Sequence, residues 1–149
     1  MMTTSIENKP KLFLDTNVIL DAITLRDNSY QPSKELLRYI VSGNAKGYIC
    51  AKQITDLHYI FRKYYSDKKL AQVKIKDITD LFEILPLLKG DILACLNKQS
   101  IDLEVAILCE VAKVNKVNII VTNNPKHFDD WPMMIITPEQ CLNLFQLKQ

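Results

Sequence analysis

The acidic side chains Asp15, Asp56, Asp102 and Glu104 occupy similar places in the sequence, where an apolar segment turns polar or a helical pattern begins. A hard divalent cation such as magnesium takes oxygen ligands at roughly 2.0–2.1 Å, commonly one or two carboxylates completed by water. Acids gathered by strand ends and adjacent helix starts could hold such an ion. They could then activate water and stabilise charge on a phosphodiester under in-line attack. A further polar cluster follows Val121, with Thr122, Asn124, Asp129 and Asp130. Each residue also has a plain structural explanation. Asp15 suits an N-cap of the helix that follows it. Asp56, Asp102 and Glu104 suit first-turn acids favoured by a helix dipole, and Asn124-Pro125 is an ordinary turn signal.

The elements that must position these residues follow from periodicity. Leu12 to Asp15 reads as a buried strand with a carboxylate at its C-terminal end, the end at which open α/β sheets bind ligands. A helix over Asn17–Ile23 comes next, and Pro32-Ser33 opens another over Lys34–Val41, closed by Gly43. Gly47–Cys50 is a second strand. The helix after it, Lys52–Tyr65, carries Ile54, Leu57, Phe61 and Tyr64 along one face. Ser66-Asp67 caps a helix from Lys68 to about Leu85, with Leu70, Val73, Ile78, Leu81 and Leu85 inward, and Pro86–Leu88 follows as an edge strand. A short helix spans Asp91–Asn97. A helix from Ser100 or Ile101 to Val114 is almost entirely apolar in its middle, Val105 to Cys109, and should be central. Strands at Asn118–Val121 and Met133–Ile136 precede a C-terminal helix from Pro138. Such alternation predicts an α/β fold with a mostly parallel, helix-covered sheet of four or five strands.

Bulk properties narrow the classes. The 149 residues, 48% hydrophobic and 24% charged, suit one domain over residues 11–149 with a sizeable core. Residues 1–10 are polar, read as a disordered leader, and contain no signal-peptide core. No apolar run approaches a membrane span. The four cysteines are scattered without a CxxC pair, which points to reduced, buried thiols in a cytoplasmic protein. Net charge of +2 does not by itself announce nucleic acid. A local patch of His58, Tyr59, Arg62, Lys63, Tyr64 and Tyr65, extended by Lys68 and Lys69, offers the cations and aromatic faces that single-stranded RNA uses. The ordinary alternative for each of these residues is a solvated or packing role. Asn17 stands where a dehalogenase-type phosphatase needs a second Asp, and no GxxxxGK[ST] loop is present.

The order of the motifs resembles the PIN domain family, metal-dependent ribonucleases that include many prokaryotic toxins of toxin–antitoxin pairs. Leu14-Asp15-Thr16-Asn17-Val18-Ile19-Leu20 is similar to its first motif, Ile54-Thr55-Asp56-Leu57 to its second, and Val121 to Phe128 to its last. Pro138-Glu139-Gln140 resembles the start of its final helix. The resemblance extends over nearly the whole chain. It implies a three-layer α/β/α fold and an endoribonuclease dependent on Mg2+ or Mn2+. Asp15, Asp56 and Asp102 would be metal ligands, with Glu104 contributing to catalysis. Thr16, Asn17, Thr122 and Asn124 would brace the ligands, and Arg62 and Lys63 would lie along the RNA. An antitoxin peptide and homodimer formation are the implied protein partners.

Two positions depart from the family pattern. Val105 stands where the third motif, matched by Asp102 to Ala106, carries an acid, and His127 stands where the last motif carries one. Asp102 shares a helical face with Val105 and could substitute imperfectly, whereas Glu104 lies about 100° away but has a longer side chain that could partly compensate. His127 could bind manganese or zinc but is a poor magnesium ligand. These losses weaken the expected metal affinity and open an alternative, a module that binds RNA or a protein without cleaving. A purely structural or interaction domain, with the acids serving as caps, is the third reading.

Overall fold

The computed structural model describes residues 9–26, 30–98, 102–128 and 131–146. Strands β1 (Lys11–Leu14), β2 (Lys46–Cys50), β3 (Glu83–Leu85), β4 (Ile119–Val121) and β5 (Met134–Ile136) form one sheet in the order β3-β2-β1-β4-β5. All neighbouring pairs are parallel. Between and after them lie α1 (Thr16–Thr24), α2 (Tyr30–Val41), α3 (Ala51–Tyr65), α4 (Lys68–Leu81), α5 (Lys89–Asn97), α6 (Leu103–Val114) and α7 (Pro138–Gln146).

Side-chain alternation along the strands divides the interior in two. Leu12, Leu14, Ile49 and Val121 face a core completed by α1, α2, α3, α4 and α7. Phe13, Tyr48, Cys50 and Ile120 face a second core completed chiefly by Cys95 of α5 and the apolar run of α6. A sheet covered on both faces must be apolar on both, which is why Leu12, Phe13 and Leu14 are consecutive and fully buried. The expected α/β layering with a parallel, helix-flanked sheet is therefore the one observed. Among the described residues, no helix is long and apolar enough to cross a membrane.

Several boundaries differ from the sequence reading. Helix α4 stops at Leu81, and the third strand is Glu83–Leu85 rather than Pro86–Leu88. Phe82 causes the change. It leaves the helix in extended conformation and buries its ring against β2, where a Cβ on Gly47 would come within 2.7 Å of it. Pro86 has no N–H for the ladder, so the strand ends before it. Leu70 and Val73 are exposed, and Ala71 and Ile78 take the inward positions. Tyr64 is likewise exposed, its hydroxyl donating to the Thr24 carbonyl at 3.2 Å. Helix α2 begins at Tyr30, with Pro32 inside its first turn, where N–H groups have no intrahelical partner. The leader up to Asn8, the Ser100–Ile101 helix start, and Asp129 and Asp130 lie outside the described residues.

Candidate functional site

The chain passes from β1 outward to β2 and β3, then returns to place β4 and β5 on the other side of β1. The order therefore reverses between β1 and β4, and the carboxyl ends of those strands flank the crevice where such sheets bind ligands. Asp15 and Thr122 are the first residues beyond them. Asp15 N–H still bonds the Val121 carbonyl at 2.9 Å. Thr122, fully buried, donates its hydroxyl to Asp15 Oδ2 at 2.8 Å and accepts the Asn124 N–H at 3.0 Å. With its lone pair occupied by Asn124, the hydroxyl proton is directed at the carboxylate.

Asp15 occupies the N-cap position of α1, yet its side chain makes no capping hydrogen bond. The carboxylate is engaged instead by the Thr122 hydroxyl, with the Thr16 N–H also acting on it. Burial pushes its pKa above the ordinary Asp value, and the nearby Glu104 charge pushes the same way. The Thr122 hydroxyl, the Thr16 N–H and His127 oppose that rise without overcoming it.

Two side chains that the sequence reading passed over fix this strand end. Gln53, buried on α3, donates to the Leu14 carbonyl at 2.9 Å and to Thr16 Oγ1 at 3.1 Å, and accepts the Cys50 N–H at 2.7 Å. It ties the ends of β1 and β2 to the start of α1. Asp21, buried on α1, accepts from Arg26 Nε at 2.9 Å and Asn123 Nδ2 at 2.6 Å. Arg26 also reaches Asn17 Oδ1 at 3.4 Å. This group holds the loop carrying Thr122 and Asn124 against α1. A charged residue inside the apolar run Val18–Ala22 was the available signal for Asp21. A Gln three residues after a strand end, at the start of a helix, was the signal for Gln53.

The other candidate acids are placed differently. Asp56 accepts from Lys52 Nζ at 2.7 Å, and the same ammonium lies 3.3 Å from Glu104 Oε1. Lys52 therefore joins α3 to α6. Burial disfavours its charge, but Asp56 and Glu104 outweigh that and raise its pKa. Asp102 is the N-cap of α6, its Oδ1 accepting from the N–H groups of Glu104 and Val105 at 3.0 and 3.2 Å. Val105 packs into the second core. Thr16 Oγ1 accepts from Gln53, Asn17 Oδ1 accepts from Arg26, and the Asn124 N–H donates to Thr122 Oγ1. Arg62 and Lys63 line an open hollow of about 380 Å3 with His58 and Tyr59, and Lys63 Nζ sits 4.6 Å from the Tyr59 ring centre.

Residues 11–126 match the sequence family described as PIN domain. The chain belongs to the PIN domain family. This PIN domain is 26% identical over 139 residues to Ribonuclease VapC1 of Aquifex aeolicus (strain VF5), covering 90% of this chain and 95% of that protein. Among solved structures it is similar to VapBC2 from Rickettsia felis bound to a DNA fragment from their promoter, with TM-score 0.60, 24% identity and coverage of 85% and 96% of the two chains. It is also similar to a toxin-antitoxin complex from Klebsiella pneumoniae, with TM-score 0.63, 18% identity and coverage of 85% and 97%. The PIN fold is thereby shown.

Whether a metal suits this PIN domain is a question of donor chemistry. Among the described residues, no three His, Cys, Asp or Glu side chains converge on one point. A closed protein cage, as a structural zinc site requires, is not present there. Yet two carboxylates from different helices, Asp56 and Glu104, already meet on a single cation, the Lys52 ammonium. Glu104 also acts on Asp15 electrostatically. The donors fit an ion held through one or two carboxylates and otherwise by water, as magnesium prefers.

Proposed function

We propose that this PIN domain is a toxin-type ribonuclease that hydrolyses RNA phosphodiester bonds and is held in check by an antitoxin protein. The observation that carries the reading is Asp15, a half-buried carboxylate at the β1/β4 crossover, aimed and hydrogen-bonded by a buried threonine. Support for the activity comes from the relative named a ribonuclease, and for the partner from the toxin-antitoxin complexes that share the fold.

In this reading Asp15 and Glu104 would hold a Mg2+ or Mn2+ ion, which when bound supplies an acidified water and positive charge for the phosphate. Thr122 fixes the orientation of the Asp15 carboxylate, and Gln53 and the Asp21 group fix the backbone that carries both. His127, on the turn Pro125–Phe128, is near enough to Asp15 to favour its ionised form. Arg62 and Lys63 lie about 9 Å of helix rise beyond Asp56, placed to accompany an RNA strand leaving the acids.

A second reading, RNA binding without cleavage, has specific support in the core position of Val105 and in the ammonium already seated between two acids. One experiment separates them. Single-stranded RNA is incubated with wild type and Asp15→Asn in Mg2+, Mn2+ or EDTA. Cleavage only by wild type with metal is expected. Equal cleavage in every condition would overturn the metal-dependent reading, and RNA binding without cleavage would establish the second one.

A further inference from the structure

Lys52 has no role in the motif pattern, and its placement is locally unfavourable. It is the second residue of α3, where the helix's free N–H groups disfavour a cation. Its side chain is only 29% exposed, and its two partners come from different helices. Lys76–Asp80 on α4 shows what a plain surface pair of the same spacing looks like. The distance is again 2.7 Å, but the side chains are 72% and 63% exposed, and Lys76 has one carboxylate partner among the ion pairs described. Lys52 is therefore built into the cleft rather than laid over it. Its neighbours also set a charge balance. Asp56 and Glu104 contact the ammonium directly, and Glu104 also acts electrostatically on Asp15, so Lys52 offsets negative charge on the side of the cleft away from Asp15.

We infer that the Lys52 ammonium is a permanent cation of this cleft, neutralising Asp56 and its side of Glu104 and confining a divalent ion to the Asp15 end. The inference rests on the metal-dependent reading above and assigns Lys52 a part in setting how many ions the site takes. Asp56 then acts as the partner of Lys52 rather than as a ligand. The ammonium supplies from within the chain a charge that would otherwise have to come from solution.

The test is Mn2+ binding without RNA, followed by calorimetry and by the electron spin resonance of free Mn2+. The proteins are wild type, Lys52→Met, Lys52→Arg, Asp56→Asn and Asp15→Asn, with Lys76→Met as a control for net charge. Wild type should bind one ion, and Asp15→Asn should lose it. Lys52→Met should bind Mn2+ at least about tenfold more tightly or take up a second ion, as expected when two carboxylates lose their ammonium. Lys52→Arg and Lys76→Met should behave as wild type. Unchanged or weaker binding by Lys52→Met overturns the inference while leaving the metal reading intact. Absence of binding in every protein removes the metal reading and the inference with it. Should Lys52→Met fold poorly, Asp56→Asn decides with the ammonium left in place. It should keep Mn2+ affinity within about threefold, because the carboxylate it removes is already engaged by Lys52 rather than by the ion, and a loss as complete as that of Asp15→Asn overturns the inference.

Discussion

The two sides of the acidic cleft are held by different forces. On the Asp15 side, the positioning is done mainly by uncharged donors on or beside strand ends, the buried Thr122 hydroxyl and Gln53 amide and the partly buried Asn123 amide, with Arg26 joining the last at Asp21. On the Asp56 side, one lysine spans two carboxylates, Asp56 from the second turn of α3 and Glu104 from the first turn of α6, with the Glu104 side chain 61% exposed. Buried hydrogen bonds give a fixed geometry and are costly to break, because the abandoned group cannot turn to water. Half-exposed ion pairs give a geometry that salt, metal or substrate can rearrange at small cost. One side of the site is thus a preformed wall and the other an adjustable one.

The sharpest way to break this contrast is through activity. If Asp15 anchors the chemistry, Asp15→Asn should lower the initial rate of RNA cleavage by roughly 10³-fold, the scale of removing several kcal/mol of charge stabilisation. Asp56→Asn and Glu104→Gln, on the adjustable side, should each lose less. Equal losses at all three would show that the cleft has no preformed wall.

Folding stability should separate the sides next. Gln53→Leu keeps volume but strands the Leu14 carbonyl and the Cys50 N–H, and each unsatisfied buried group costs about 1–3 kcal/mol. A loss of about 2–4 kcal/mol in urea unfolding is expected. Asp21→Ala leaves Arg26 and Asn123 without their carboxylate. Because Arg26 is 47% exposed and can turn to water, a smaller loss of about 1–2 kcal/mol is expected. Asp56→Asn, measured in the same way without metal, should move stability by no more than about 0.5 kcal/mol.

The same division explains what could be seen in the sequence. Strand ends announce themselves, since Leu12-Phe13-Leu14 and Ile119-Ile120-Val121 are apolar on both faces and stop abruptly at Asp15 and Thr122. The parallel sheet and its central α6 were legible for that reason. Phe82 was not, because a residue that leaves a helix to pack against Gly47 looks like one more apolar position in a helical stripe. Asp21 and Gln53 were missed because polar residues within a burying segment become informative only when their partners, far away in sequence, are known. Asn123 is 102 residues from Asp21, and Leu14 is 39 from Gln53. Lys52 was hidden by the ordinary look of a lysine four residues before an aspartate, with Glu104 the partner that sequence could not supply.

The smallest effect concerns the burial of Asp15 itself, and its sign is opposite to the loss of activity. The carboxylate is shifted above its ordinary pKa of 3.8, chiefly by burial. The ionised form is therefore disfavoured in the fold relative to the unfolded chain, and the stability lost on ionisation is missing at neutral pH. As pH falls through the raised pKa, the native carboxyl takes up a proton before the unfolded one does, and that stability returns in full below the unfolded value. In EDTA, Asp15→Asn should melt a few degrees above wild type at neutral pH, since it keeps an acceptor for Thr122 without the buried charge. The difference should shrink steadily on acidification toward the ordinary carboxylate range. Mg2+ or Mn2+ should raise the melting temperature of wild type and leave Asp15→Asn unmoved, closing the gap from the other direction. A variant less stable than wild type in EDTA at neutral pH would show that the Thr122 bond outweighs burial. The Asp15 wall would then be stabilising in its own right rather than strained for the sake of binding a cation.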